Sequence, residues 1–146
     1  MEIECSVGGS VIPSAAVLPA EQYDVRQFRE LMNDRESFVW AIKSLLREDG
    51  NVSASSNAIA REFCISPRTF SRRLQCYRLT YREILEELRK EMAREQLLLT
   101  QRPVFEIALR LGYSDSSNFV KAFRKWYGTT PRRYRCQYSD SAVKEP

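Results

Sequence analysis

The chain of 146 residues contains no histidine. That absence removes the commonest general base and any Ser-His-Asp or Cys-His arrangement. Glycine is scarce, five residues in all, and none builds a Gly-rich phosphate loop. The four cysteines, Cys5, Cys64, Cys76 and Cys136, form no Cys-x-x-Cys pair. A zinc site needs closely spaced ligands, so no metal is expected. Isolated thiols fit a reducing cytosol, where they serve as small hydrophobes. No run of 18 apolar residues occurs, so no membrane-spanning helix is predicted. Val11 to Ala20 is apolar, yet acidic Glu2 and Glu4 precede it and Pro13 and Pro19 interrupt it, which argues against a secretory signal. These absences point away from an enzyme and imply no cofactor.

What is present is an uneven charge. Residues 1–57 carry five Lys/Arg against nine Asp/Glu, a net of −4. Residues 58–135 carry 17 basic against 8 acidic, a net of +9, and the last eleven residues come to −1. Such a basic stretch attracts polyanions and supplies the salt-dependent part of nucleic-acid affinity. Hydrophobic residues make up 43% of the chain, enough for a packed core.

The basic stretch also contains a repeat. Ile59-Ala60-Arg61-Glu62-Phe63-Cys64-Ile65-Ser66 leads into Pro67-Arg68-Thr69-Phe70-Ser71-Arg72-Arg73-Leu74. Ile107-Ala108-Leu109-Arg110-Leu111-Gly112-Tyr113-Ser114 leads into Asp115-Ser116-Ser117-Asn118-Phe119-Val120-Lys121-Ala122-Phe123. Each copy reads as a short apolar helix, a tight turn, and a second helix with apolar anchors four residues apart. That is the outline of a helix-turn-helix, whose second helix enters a DNA major groove. Aligned on Ser66 and Ser114, the second copy has one extra residue before its phenylalanine.

Other elements follow from period and caps. Phe38, Val39, Ile42, Leu45 and Leu46 recur at helical spacing between Glu36 and Glu48, before the turn residues Asp49-Gly50-Asn51. Ser55 or Ser56 caps a helix to about Phe63, and Ser66-Pro67 opens the first recognition helix, to about Tyr77. Thr80-Tyr81-Arg82-Glu83 has capping-box form and starts a long helix to about Thr100. Pro103 begins the next helix and Gly112 closes it. Ser114 is the expected cap of the second recognition helix, which ends at Gly128. A final turn after Pro131 carries Arg132, Arg133 and Arg135. The fold class is all-α, with an N-terminal arm over 1–34, a DNA-binding domain over 35–135 and a flexible tail over 136–146. Within the domain, units at about 38–78 and 103–135 flank a linker helix at about 81–100. At 1.5 Å per residue that linker spans about 30 Å. Successive major grooves on one face of DNA lie about 34–36 Å apart. A single chain is therefore predicted to hold two recognition helices one turn apart and to bind DNA as a monomer.

Ser66 through Leu74, and Gly112-Tyr113-Ser114-Asp115-Ser116-Ser117-Asn118-Phe119 through Ala122-Phe123-Arg124-Lys125-Trp126, Gly128, Pro131 and Tyr134-Arg135, resemble the AraC/XylS family of bacterial transcription regulators. The resemblance covers about residues 38–135. It implies a seven-helix domain of two helix-turn-helix units joined by a long helix, which binds double-stranded promoter DNA in the cytoplasm. It further implies an activator that contacts RNA polymerase. The 35 to 50 residues upstream are too few for the family's sensor barrel, so a stand-alone type, controlled by abundance or a regulatory protein, is expected. The family commonly has glycine where this chain has Cys64 and Arg78, which predicts a looser first unit or altered turns.

Phe70 and Leu74 are predicted to face the core, which turns Arg68, Ser71 and Arg72 outward. Arg72 suits bidentate pairing with guanine, and Arg68 lies one turn earlier. In the second helix Ser116, Ser117, Asn118 and Lys121 match the family's DNA-contacting positions, Asn118 toward adenine and Lys121 toward guanine or phosphate. Thr69, Arg73, Arg124, Lys125, Arg132 and Arg133 are expected on phosphates, setting position rather than sequence. Trp126, Tyr127 and Tyr134 read as core. A competing reading is a protein-interaction module that keeps the fold and has lost DNA reading. A third is a repair methyl acceptor using Cys5.

Overall fold

The computed structural model describes residues 33–48 and 52–139. Cys5, most of the expected arm, the Asp49-Gly50-Asn51 turn and the tail from 140 lie outside that range. Among the described residues there are seven helices and no strand: α1 Arg35–Glu48, α2 Ser56–Glu62, α3 Pro67–Cys76, α4 Tyr81–Leu99, α5 Val104–Arg110, α6 Ser116–Tyr127 and α7 Pro131–Ser139. The all-α expectation holds. So does the expectation of a long helix between two helix-turn-helix units.

Two cores are strung along α4. The first gathers Phe38, Ile42 and Leu46 of α1, Ile59 of α2, Phe70 and Leu74 of α3, and Ile84 and Leu88 of α4. The second gathers Ala93 and Leu97 of α4 with Ile107 and Ala108 of α5, Phe119 and Phe123 of α6, and Tyr134 of α7. Met92 packs against both. Ala60 and Ala108 are fully buried, as expected of small residues where the helices of each unit cross. Burying a side chain the size of Phe70 or Phe119 is worth about 1.5–3 kcal/mol relative to exposure.

The start of α4 is fixed by its capping box. Thr80 Oγ1 accepts from the Glu83 amide at 3.3 Å, and Glu83 Oε2 accepts from the Thr80 amide at 2.7 Å. On the side of the first unit, Lys43 reaches Glu91 at 2.7 Å and Arg47 reaches Glu91 and Glu95 at 3.2 and 3.0 Å. Tyr81 donates its hydroxyl to the Ala54 carbonyl at 2.8 Å, and burial pushes its pKa up to about 12. On the side of the second unit, Trp126 Nε1 donates to Glu86 at 3.1 Å and the Tyr127 hydroxyl to the Lys90 carbonyl at 3.0 Å. The Trp126 bond, with Lys125 next in effect, holds the Glu86 carboxyl below its ordinary range.

Three features differ from expectation. Pro103 stands at the N-cap of α5, one position before the helix proper. After Pro131 the chain forms a nine-residue helix rather than a turn, and this helix runs past the expected boundary at 135 to Ser139. Its extension is stabilised by Tyr138, whose ring lies 4.5 Å from that of Tyr134 one turn earlier. The third difference concerns the turns of the first unit. Cys64 and Arg78 adopt left-handed backbone, φ 52° and 54°, in place of the glycines expected there. After α2, the Cys64 amide donates to the Arg61 carbonyl at 2.9 Å and the Ile65 amide to the Ala60 carbonyl at 3.0 Å. After α5, Gly112 and Tyr113 make the corresponding bonds to Leu109 and Ala108, both at 3.0 Å. This is the same Schellman closure. Arg78 and Leu79 close α3 in the same way, bonding to Gln75 and Leu74 at 2.9 and 3.0 Å. The turns therefore keep their shape, because paired hydrogen bonds and partly buried Ile65 and Leu79 offset the local strain.

Candidate nucleic-acid interface

Both recognition helices begin alike. At α3, Ser66 is the N-cap, and its Oγ accepts from the Thr69 amide at 3.1 Å. The Ser66 and Thr69 hydroxyls also pair, at 2.8 Å. At α6 the cap is Asp115, not the expected Ser114. Asp115 Oδ1 accepts from the Asn118 amide at 2.8 Å, and Oδ2 accepts from Asn118 Nδ2 at 2.7 Å. A carboxylate satisfies both groups at once, and its charge suits a helix N-terminus. Ser114 only donates to Asp115, at 3.3 Å.

The corrected cap brings the two helices into one register. Phe70 and Phe119 are each the fourth residue after the cap, and both are buried. The extra residue of the second copy lies in the turn before α6. Arg72 and Lys121 are each the sixth residue after the cap, and both are exposed. Arg68 and Ser117 share the second position, and Thr69 and Asn118 the third.

Most of the predicted contact residues lie at the surface. Arg68, Thr69, Ser71, Arg72, Ser117, Asn118, Lys121, Arg124, Lys125, Arg132 and Arg133 are exposed. Ser116 is half-buried rather than exposed, and Arg73 is also half-buried. Lys125 stands 3.6 Å from Glu86, so its charge is partly committed to the linker helix. Arg135 is turned inward, donating to the Leu97 and Arg102 carbonyls at 3.1 and 2.7 Å. Trp126 and Tyr127 are half-buried against the second core and Tyr134 is buried, in line with their reading as core.

Asp115 is the residue that sequence reasoning missed. With one Nδ2 hydrogen held by Asp115, Asn118 keeps its other N–H and its Oδ1. Those are the two groups that bidentate pairing with adenine requires. The signal was available, since Asp is a strong cap and a polar residue three positions on completes the pair. It was obscured by Ser114, an equally acceptable cap one residue earlier.

A family model described as "Helix-turn-helix domain" matches residues 59–137. The ornithine utilization regulator of Pseudomonas aeruginosa is 49% identical over 76 residues, covering 52% of this chain and 22% of that protein. The chain matches about a fifth to two fifths of the length of such curated relatives. A solved AraC-type DNA-binding protein from Chromobacterium violaceum is 26% identical with a TM-score of 0.61, over 70% of this chain and 92% of that one. The DNA-binding domain of the global transcriptional factor AdpA, solved with a target DNA, is similar in fold at TM-score 0.61 and 22% identity, over 73% and 97%. The family model spans more than half of the sequence, running from within α2 into α7. The chain belongs to the AraC-type helix-turn-helix family, a non-enzymatic class of transcription regulators.

Proposed function

We propose that this chain is a sequence-specific transcription activator that reads two successive major grooves with α3 and α6. The observation that carries this reading is the shared register of the two helices, which presents Arg72 and Lys121 at equivalent exposed positions. Arg72, Arg68, Ser71, Ser117, Asn118 and Lys121 read bases, with half-buried Ser116 at the edge of the contact. Thr69, Arg73, Arg124, Lys125, Arg132 and Arg133 hold phosphates and so fix register. The N-cap pairing of Thr69 resembles that of Asn118, which supports placing both helices in the groove end-first. RNA polymerase is the proposed partner at the promoter, with a regulatory protein as the controlling input.

Because the units differ in their base-facing residues, the site they select is directional, with unlike halves. Selection from random duplexes tests this directly. The native chain should enrich a two-part site, and Arg72→Ala and Lys121→Ala should each weaken it by about 1–3 kcal/mol, in different halves. Unchanged site preference in both variants would remove the assignment. The interaction-module reading loses its main motive, since Cys64 and Arg78 keep the turn geometry that glycine was expected to supply.

A further inference from the structure

The two units meet at Arg89, which the DNA reading does not use. Arg89 lies on α4 between Leu88 of the first core and Ala93 of the second. Its Nη2 donates to the Val52 carbonyl at 3.1 Å, in the segment between α1 and α2. Its guanidinium lies 5.3 Å from the ring centroid of Tyr113, in the turn between α5 and α6. One side chain thus touches both units from the linker. Its Nε is buried with no hydrogen-bond partner among the described residues. A buried unpaired donor is costly, and lysine, without an Nε–H of this kind, would avoid the cost. What arginine adds is a delocalised cation with several donors, able to hold a carbonyl while lying over an aromatic ring.

Gly112 provides a second, independent observation at the same place. A Cβ added there would collide with Ser53 Oγ and lie 3.2 Å from Arg89 Nη2. At Gly128, the other left-handed glycine, nothing lies within 4 Å of such an atom. Left-handed backbone alone does not demand glycine in this chain, since Cys64 and Arg78 adopt it with side chains. At Gly112 space is short as well as φ being left-handed: the turn of the second unit backs onto Ser53 of the first, whose hydroxyl would have to move to admit a Cβ.

We propose that Ser53, Arg89, Gly112 and Tyr113 form a seam that locks the second unit in orientation on the first, with Arg89 the positioning residue that sets the base-pair spacing between the two half-sites. The proposal rests on the reading that both units bind DNA. Arg89 touches no DNA in it; it acts by fixing where α6 stands relative to α3.

The test is selection from duplexes in which both half-sites and the spacer length vary. The native chain should enrich one spacing. Arg89→Met should retain the sequence of each half-site, while its preference for that spacing over one base pair more or less falls about fivefold, within the range for coupled contacts. Arg89→Lys should do the same, since it keeps the charge and loses the delocalised group. Gly112→Ala should shift the preferred spacing, and adding Ser53→Ala should restore it, because backbone strain is common to both and only the collision is relieved. Amide residual dipolar couplings of the free protein provide a readout without DNA: one alignment tensor for both units in the native chain, two in Arg89→Met. A native chain that enriches no two-part site overturns the DNA reading and the spacing role together. A native chain that does so, beside Arg89 variants with unchanged spacing and a single tensor, overturns the seam alone.

Discussion

Cys64 and Arg78 hold their side chains in solvent while their backbones sit in left-handed conformation. A Cβ there costs about 1–2 kcal/mol, against about 0.5–1 kcal/mol for the extra freedom glycine loses on folding. Cys64→Gly and Arg78→Gly should therefore each stabilise the first unit by up to about 1 kcal/mol. A urea midpoint that fails to rise in both variants would mean that the turns carry no strain. Asp115 allows a second test. Asp115→Ser keeps an oxygen for the Asn118 amide and releases the Asn118 side chain. If the carboxylate aims that side chain at adenine, the variant should stay folded while adenine preference at one position falls by about 1 kcal/mol. An unchanged preference at that position would make Asp115 a cap and nothing more.

At the scale of elements, the contact of α6 with α4 is expected to depend on pH. Glu86 accepts from Trp126, and its folded pKa is depressed. Its contribution is complete above the ordinary value of about 4.3 and is lost as pH falls through the lowered folded value. Trp126 emission should step in that acid range, and the step should vanish in Glu86→Gln. A step that survives the substitution would assign it to another group. Most helix starts were legible because a capping oxygen precedes each by one residue, as at Ser55, Ser66 and Thr80. At α6 two adjacent residues both cap well, and only the burial of Phe119 in the assembled core decides between them. The end of α7 carries no stop signal, and the ring contact that prolongs it joins Tyr134 to a residue taken as tail. Arg89 was illegible for a plainer reason: Val52 and Tyr113 become neighbours only once both units are docked.

For the whole molecule, the distribution of charge matters more than its sum. Glu87, Glu91 and Glu95 of α4 are engaged by Lys43 and Arg47 of α1, while Arg68, Arg72, Lys121, Arg124, Arg132 and Arg133 stay exposed. The Arg47 pairs are exposed and add little stability. They do confine negative charge to a face already occupied by α1. If Arg124 and Arg132 hold phosphates, Arg124→Ala and Arg132→Ala should each reduce the slope of log affinity against log salt by about 0.9, with no change in the selected sequence. A slope that does not move would leave these arginines as solvated surface.

The closure of α4 by α7 also bears on how the molecule is made. Arg135 donates to the Leu97 carbonyl from 38 residues further along the chain. The buried residues of the first core are all synthesised by Leu88, and Met92, which packs against them, follows within one turn. During vectorial synthesis, in which earlier segments fold first, the first unit can be assembled while the far end of the linker still lacks the side chain that satisfies its Leu97 carbonyl. The second unit is finished only when α7 emerges with Tyr134 of its core. A nascent chain stalled short of Arg135 would carry one complete helix-turn-helix unit on an open-ended rod.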